Sequence, residues 1–255
     1  MLNILRVDFK RYFMTNSLRV LAILAAVLQP LFMQILMHEL SKLIGQTPVI
    51  TINDFAVYSG VAAIYLAIFI TLFLHTEAGE GILRNKIISG KKRYQVLISY
   101  CSVNAVLAAV LQVVSVLTTA AMAKIYGSQI TVTFAEVLRF TVVTTLAGIA
   151  ISVFYTVVYM CFCTQKFAIA LPATIAVAMR FSMFFILDAL YTAIGTPKVS
   201  GFTLKLYTGI DRFVPFYHLT GWVRHDNLSY LAGDIAVIVI SLVIGSIVFS
   251  KKDLK

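Results

Sequence analysis

The densest run of charge in the chain is GEGILRNKIISGKKRYQ, Gly79 to Gln95, which carries Glu80, Arg84, Lys86, Lys91, Lys92 and Arg93 between two long apolar stretches. Its chemistry is recognition: charged groups offered to a protein or an anionic lipid surface. The other residues able to do chemistry are scattered. Cys161 and Cys163 place two thiols close together, but a zinc site takes about four ligands, so they read, with Cys101, as reduced apolar thiols. His218 and His225 stand at i and i+7 without further ligands and are not read as a metal pair. Inside apolar stretches, Arg180, Asp188, Gln29 and Gln34 stand out, because a charge at membrane depth faces protein or water. No grouping of nucleophile and base is evident.

The elements that must position these residues follow from composition. The 255 residues are 60% hydrophobic and only 13% charged, where a soluble domain carries about 25% charged residues. So much apolar surface cannot be hidden in one soluble core, and the solvent is lipid. Apolar runs of roughly 20 residues span the hydrocarbon, and helices satisfy their own backbone there. Six spans are predicted, at 18–40, 55–75, 96–123, 137–161, 167–190 and 230–250. The fifth requires Arg180 to lie within it. The first run is too long for a signal h-region and no small-residue cleavage site follows it, so no signal peptide is expected. The whole of 1–255 reads as one transmembrane domain.

Six spans put both termini on one side, and the basic residues say which. Thirteen Lys and Arg fall on the terminal side and seven on the other, with Arg180 in the membrane. By the positive-inside rule both termini are cytoplasmic. The net charge of +10 is then topology signal and no nucleic-acid footprint. The expected location is the cell (inner or cytoplasmic) membrane, with loops 76–95 and 162–166 inside and 41–54, 124–136 and 191–229 outside. Within residues 1–16, Leu2, Leu5, Phe9, Tyr12 and Phe13 share about a third of the helical wheel, with Asn3, Lys10 and Arg11 opposite. That predicts an amphipathic helix lying in the inner interface.

In the charged segment a helix from about Glu80 to Ser89 is predicted, ending at Gly90 in a left-handed cap. Glu77 and Glu80 sit at its start, where the helix dipole favours acids, and Lys91, Lys92 and Arg93 follow its end. It makes a rigid protrusion about 15 Å long. It reads either as a topology-setting loop that binds anionic lipid or as a docking element for a cytoplasmic protein.

The string EAGEGILRNKIISGKKRYQVLISY, Glu77 to Tyr100, resembles the loop after the second span in permeases of the ABC type-2 transporter family. Size, six spans, an amphipathic N-terminal helix and a long outer segment before the last span are similar too. Small bacterial permeases for amphipathic peptides, such as phenol-soluble modulin exporters and lantibiotic-immunity permeases, are the nearest resemblance. The resemblance implies an all-α permease with a short cytoplasmic coupling helix, residues 77–89, in a cleft of a separate ATPase subunit, and a connecting helix at 2–14. It implies ATPase-coupling roles for Glu77, Glu80, Ile82, Leu83, Arg84, Asn85 and Lys86. Two permeases, most simply a homodimer, would work with two ATPases, and short helices in 191–229 would re-enter the outer leaflet.

The chain lacks G-x-x-x-x-G-K-[ST], so it is not expected to be an enzyme. It needs no cofactor of its own; ATP and Mg would sit on the partner. The expected function is export of an amphipathic or hydrophobic substrate, a peptide above all. The substrate-pathway candidates are Gln29, Gln34, Tyr58, Tyr65, Arg180 and Asp188. Arg180 reads either as a pathway residue or as half of a structural ion pair with Asp188, Glu39 or Glu136. Two other functions remain open: an ion-coupled carrier or channel working alone, with Arg180, Asp188 and Glu39 as its path, or an immunity protein that sequesters a peptide. Small residues four apart, Ala105 with Ala109 and Gly148 with Ser152, predict packing faces.

Overall fold

The computed structural model describes residues 2–14, 16–45, 47–162, 170–190, 198–219 and 229–251. Helix α1 (Leu2–Met14) leads into α2 (Asn16–Ile44), strand β1 (Val49–Ile50), α3 (Ile52–Gly79), α4 (Ile82–Ile88) and α5 (Arg93–Ile125). Then follow β2 (Gln129–Ile130), α6 (Phe134–Phe162), α7 (Ala170–Leu190), α8 (Gly201–Phe213), α9 (Pro215–His218) and α10 (Ser229–Lys251). Among these, α2, α3, α5, α6, α7 and α10 are long and apolar enough to cross a membrane. The chain is an all-α multi-pass membrane protein, as composition requires. Five of the six helices run past both ends of the predicted spans, because a helix keeps its backbone bonded into the interface, beyond the last apolar residue.

Helices α3 and α6 form the centre. Leu66, Ala67 and Ile70 of α3 and Ala147, Ile151 and Tyr155 of α6 expose almost nothing, and Val96, Leu97, Tyr100 and Val103 of α5 join them. The small-residue face on α6 is real: a methyl added at Gly148 would lie 3.9 Å from the Ala108 side chain of α5, and Ser152 is buried. On α5 the close approach falls at Ala108, while Ala105 and Ala109 are half-buried.

Polar side chains bond across this interior. Asn104 Nδ2 donates to Thr156 Oγ1 at 2.8 Å, and Gln112 Nε2 to Ser59 Oγ at 3.4 Å. Lipid offers no competing water, so small residues and such bonds serve as the glue between helices. The α2 helix runs on through Pro30 and turns Leu24, Leu28, Phe32 and Ile35 outward. Large apolar side chains of α7 and α10 are also exposed, which in lipid is their proper environment.

Two loops on the end opposite α1 and α4 pair as a short parallel ladder, β1 with β2. Beside it, α3 and α6 start alike. Asp54 Oδ2 accepts from the Thr51 backbone N–H at 2.7 Å, and Glu136 Oε2 accepts from that of Thr133 at 2.7 Å, the reciprocal half of a capping box. The segment 191–229, expected to hold short helices, carries α8 and α9. Trp222, His225 and Cys163 lie outside the described residues, as do the side chains of Leu2, Phe13 and Tyr58.

Candidate functional site

The terminal end of the bundle gathers α1, α4, the last turn of α3, the first turns of α5 and the end of α10. Arg93 Nη1 donates to the carbonyls of Phe249 and Ser250, at 3.3 and 3.4 Å, and so caps α10 from α5.

Helix α4 is bounded by two glycines with positive φ, Gly81 at +68° and Gly90 at +83°. Side chains with a Cβ rarely adopt that conformation. At Gly90 the expected cap is present: Gly90 N–H bonds the Ile87 carbonyl and Lys91 N–H bonds that of Lys86, the two bonds of a Schellman ending. At the start the expectation needs correction. The helix begins at Ile82, because Gly81 turns the chain there, and Glu80 caps α3. The protrusion is about 10 Å long at 1.5 Å per residue. Glu77 belongs to the end of α3, where a helix dipole disfavours an acid, so its partners must hold it there.

Those partners form a buried cluster. Tyr100 OH donates to Glu77 Oε2 at 2.6 Å, and Lys86 Nζ lies 3.4 Å from the same oxygen. Lys86 Nζ also donates to the Tyr100 hydroxyl at 2.5 Å and lies 4.1 Å from the centroid of its ring. On its other side Lys86 Nζ meets Asp8 Oδ1 of α1 at 2.6 Å, while Ser99 Oγ donates to Asp8 Oδ2 at 2.6 Å. Asp8 and Glu77 are buried and Lys86 nearly so. One ammonium thus bridges two carboxylates from different helices. Removing it would leave buried charge uncompensated, which is costly.

Beneath the cluster, Leu83 and Ile87 pack against the core, and the Tyr12 ring of α1 sits edge-on to Phe73 at 4.3 Å. Burial pushes the Tyr12 hydroxyl above the ordinary tyrosine range.

The opposite face of α4 looks away from the protein. Arg84, Asn85 and Ile88 are exposed, flanked by Glu80, Lys91 and Lys92; Ile88 is 71% exposed. The seven coupling candidates therefore divide. Glu77 and Lys86 point inward and hold α4. Ile82 and Leu83 are half-buried. Glu80, Arg84 and Asn85 face out. Asp8, Ser99 and Tyr100 were missed by sequence reasoning. A signal for Asp8 existed: it is a lone acid one turn before Tyr12, on the buried side of α1.

Among the described side chains, the pathway candidates have different surroundings. Arg180 of α7 is half-buried in a small cavity walled by Gly60, Ala63 and Ile64 of α3, Met179 and Met183 of α7, and Phe216 and Leu219 at α9. Gly60 lets the guanidinium approach: a methyl there would lie 3.5 Å from Nη2. Arg180 Nη1 also contacts Met183 Sδ at 3.7 Å.

The acids considered as its partners are engaged otherwise. Asp188 is bonded by Lys198 at 2.6 Å on the surface, Glu39 by Lys42 at 3.2 Å, and Glu136 caps α6. Tyr65 stacks on Phe69 of its own helix, with ring centroids 6.1 Å apart. Gln34 is buried and Gln29 half-buried on α2, and neither lines the Arg180 cavity. Tyr58 cannot be placed, since its side chain is outside those described.

Cys101 and Cys161 are buried thiols, and that of Cys161 donates to the Gly245 carbonyl at 3.6 Å. Among the described residues no cluster of three or more His, Cys, Asp or Glu could hold a metal ion. Neither the family models nor the curated proteins include a match to this chain.

Proposed function

We propose that this chain is the permease subunit of an ATP-driven exporter, with α4 as the element through which a separate ATPase subunit moves it. The observation that carries the reading is the two-faced character of α4. Its inner face is tied by Lys86 to Asp8 of α1 and Glu77 of α3. Its outer face presents Arg84, Asn85 and Ile88, all exposed. A loop that merely set topology would need basic residues but no ion pair locking it to two other helices. A force applied to α4 would pass to α1, α3 and α5 together. That is what a two-state element biased by a nucleotide-driven partner requires.

In this reading both termini are cytoplasmic and a second copy of the chain completes the permease. The substrate is amphipathic or hydrophobic, a peptide above all. ATP and Mg bind the partner. Arg180, Tyr65, Gln29 and Gln34 remain the pathway candidates, and the exposed Asp188 contributes least to an enclosed path.

The test is purification of the full chain in mild detergent from its native cells, with mass spectrometry of what accompanies it. The expected result is a stoichiometric protein carrying a Walker A motif, lost when Glu80 and Arg84 are charge-reversed together while the permease still inserts. A chain that purifies without such a protein overturns the reading in favour of a carrier acting alone.

A further inference from the structure

At the other end of the bundle from α4 lies a second buried polar cluster, which the export reading does not use. Asp211, His218 and Asp234 each expose 2% or less of their surface. His218 Nδ1 lies 2.8 Å from Asp234 Oδ1, and His218 Nε2 lies 2.8 Å from the backbone carbonyl oxygen of Asp211. A carbonyl only accepts, so Nε2 carries a hydrogen. Nδ1 then either carries a second hydrogen, directed at the Asp234 carboxylate, or receives one from a protonated Asp234. Both arrangements hold one proton more than a neutral imidazole beside a carboxylate. Without it, the Nδ1 lone pair would face a carboxylate oxygen at 2.8 Å, with neither group in water to compensate.

Among the described residues, these groups face the pair. Tyr230 of α10 donates to Asp211 Oδ2 at 3.2 Å and lays its ring 4.8 Å from that of His218. On α8 the neighbouring Arg212 side chain is exposed. On α9, Tyr217 shares a hydrogen bond of 3.0 Å with Ser182 of α7. From α6, Val143 packs on Tyr230, and Arg139, one turn earlier, is exposed.

The cluster joins three helices. Asp211 is near the end of α8, His218 ends α9, and Asp234 lies in the first turns of α10. Next to Asp234, Gly233 lets α8 touch α10: a methyl there would lie 2.5 Å from the Arg212 carbonyl oxygen. Phe216 and Leu219, at α9, wall the Arg180 cavity. Whatever holds His218 therefore holds that wall.

We infer that His218 and Asp234 form a proton-binding site, and that its proton latches α9 onto α10 over the Arg180 cavity. As pH rises and the proton leaves, the two acceptors repel and α9 is released. The inference is independent of the ATPase.

The experiment is maleimide labelling of Leu219→Cys in the full chain, in lipid nanodiscs, with Cys101, Cys161 and Cys163 replaced by alanine. Asp234→Asn is the reference. Its amide N–H can donate to Nδ1 while Nε2–H still meets the Asp211 carbonyl, so both bonds persist without the titrating proton. The thiol's own response to pH cancels in the ratio of labelling rates. From about pH 5 to about pH 8, across which an ordinary histidine changes charge, the ratio of parent to Asp234→Asn is expected to rise several-fold from near one. His218→Ala is expected to label fast throughout.

A flat ratio overturns the proton site. His218→Ala labelling as slowly as Asp234→Asn overturns the latch. Should His218→Ala not fold, the ratio of parent to Asp234→Asn decides by itself.

Discussion

Lys86 and Asp8 meet at 2.6 Å, joining the short helix after the second span to the amphipathic helix at the N-terminus. The pair is closed on one side by Ser99 and on the other by Tyr100 and Glu77. An ion pair at a fully wetted surface would contribute little, and its partners could part without consequence. This one is buried. Its members stand or fall together, which makes α1, α4 and the ends of α3 and α5 one mechanical unit.

Replacing Lys86 with methionine keeps an unbranched apolar stem and removes the charge. Asp8 and Glu77 are then left as buried carboxylates without their shared cation. The expected loss is about 3 kcal/mol, read as a lower thermal midpoint in detergent. Adding Asp8→Asn to Lys86→Met should restore part of it, because one orphaned charge is gone. An unchanged midpoint for Lys86→Met would show that the cluster does not hold α4.

Ile88 is exposed on the far side of the same helix. Ile88→Asp should change stability by no more than about 0.5 kcal/mol, as surface substitutions do. It should nonetheless strip the ATPase from the purified chain. Retention of the partner by this variant would remove the outward face of α4 from the proposed contact.

Gly60 supplies the floor on which the Arg180 guanidinium rests. Gly60→Ala adds a methyl at ordinary contact distance, 3.5 Å from Nη2, and gains helix propensity of up to about 1 kcal/mol. It should be neutral or slightly stabilising. Gly60→Leu has no room and should expel the guanidinium, lowering the midpoint clearly below that of Gly60→Ala. Equal midpoints would mean that Arg180 does not occupy this cavity.

Asn104 and Thr156 test the interior glue. Asn104→Leu removes the bond between α5 and α6, while the Thr156 hydroxyl keeps its bond to the Ser152 carbonyl at 2.8 Å. The expected cost is only about 0.6 kcal/mol, the mean for such bonds within a bilayer. A double-mutant cycle with Thr156→Val measures it. A coupling of several kcal/mol would show that this bond dominates the α5–α6 contact.

By itself the sequence determined the solvent and the spans. Long uncharged runs admit little besides a membrane-crossing helix, so all six elements were legible to within a few residues. Gly90 with the basic residues after it also announced where α4 stops, since a glycine cap is a local property of the chain. The direction in which each charge of that segment points was not legible. Glu77 and Arg84 look equally available in the string, yet one is buried against Tyr100 and the other faces away. That choice depends on Asp8, which only folding brings to Lys86.

The same holds at the other end of the bundle. In the sequence His218 showed only His225 seven residues on, because its partners, the Asp211 carbonyl and the Asp234 carboxylate, lie on two other helices. It also holds for Arg180, whose expected acids are bonded elsewhere by Lys198 and Lys42. Hydropathy and turns are properties of neighbours along the chain. A charge cluster is a property of neighbours in space, and tertiary packing alone decides which those are.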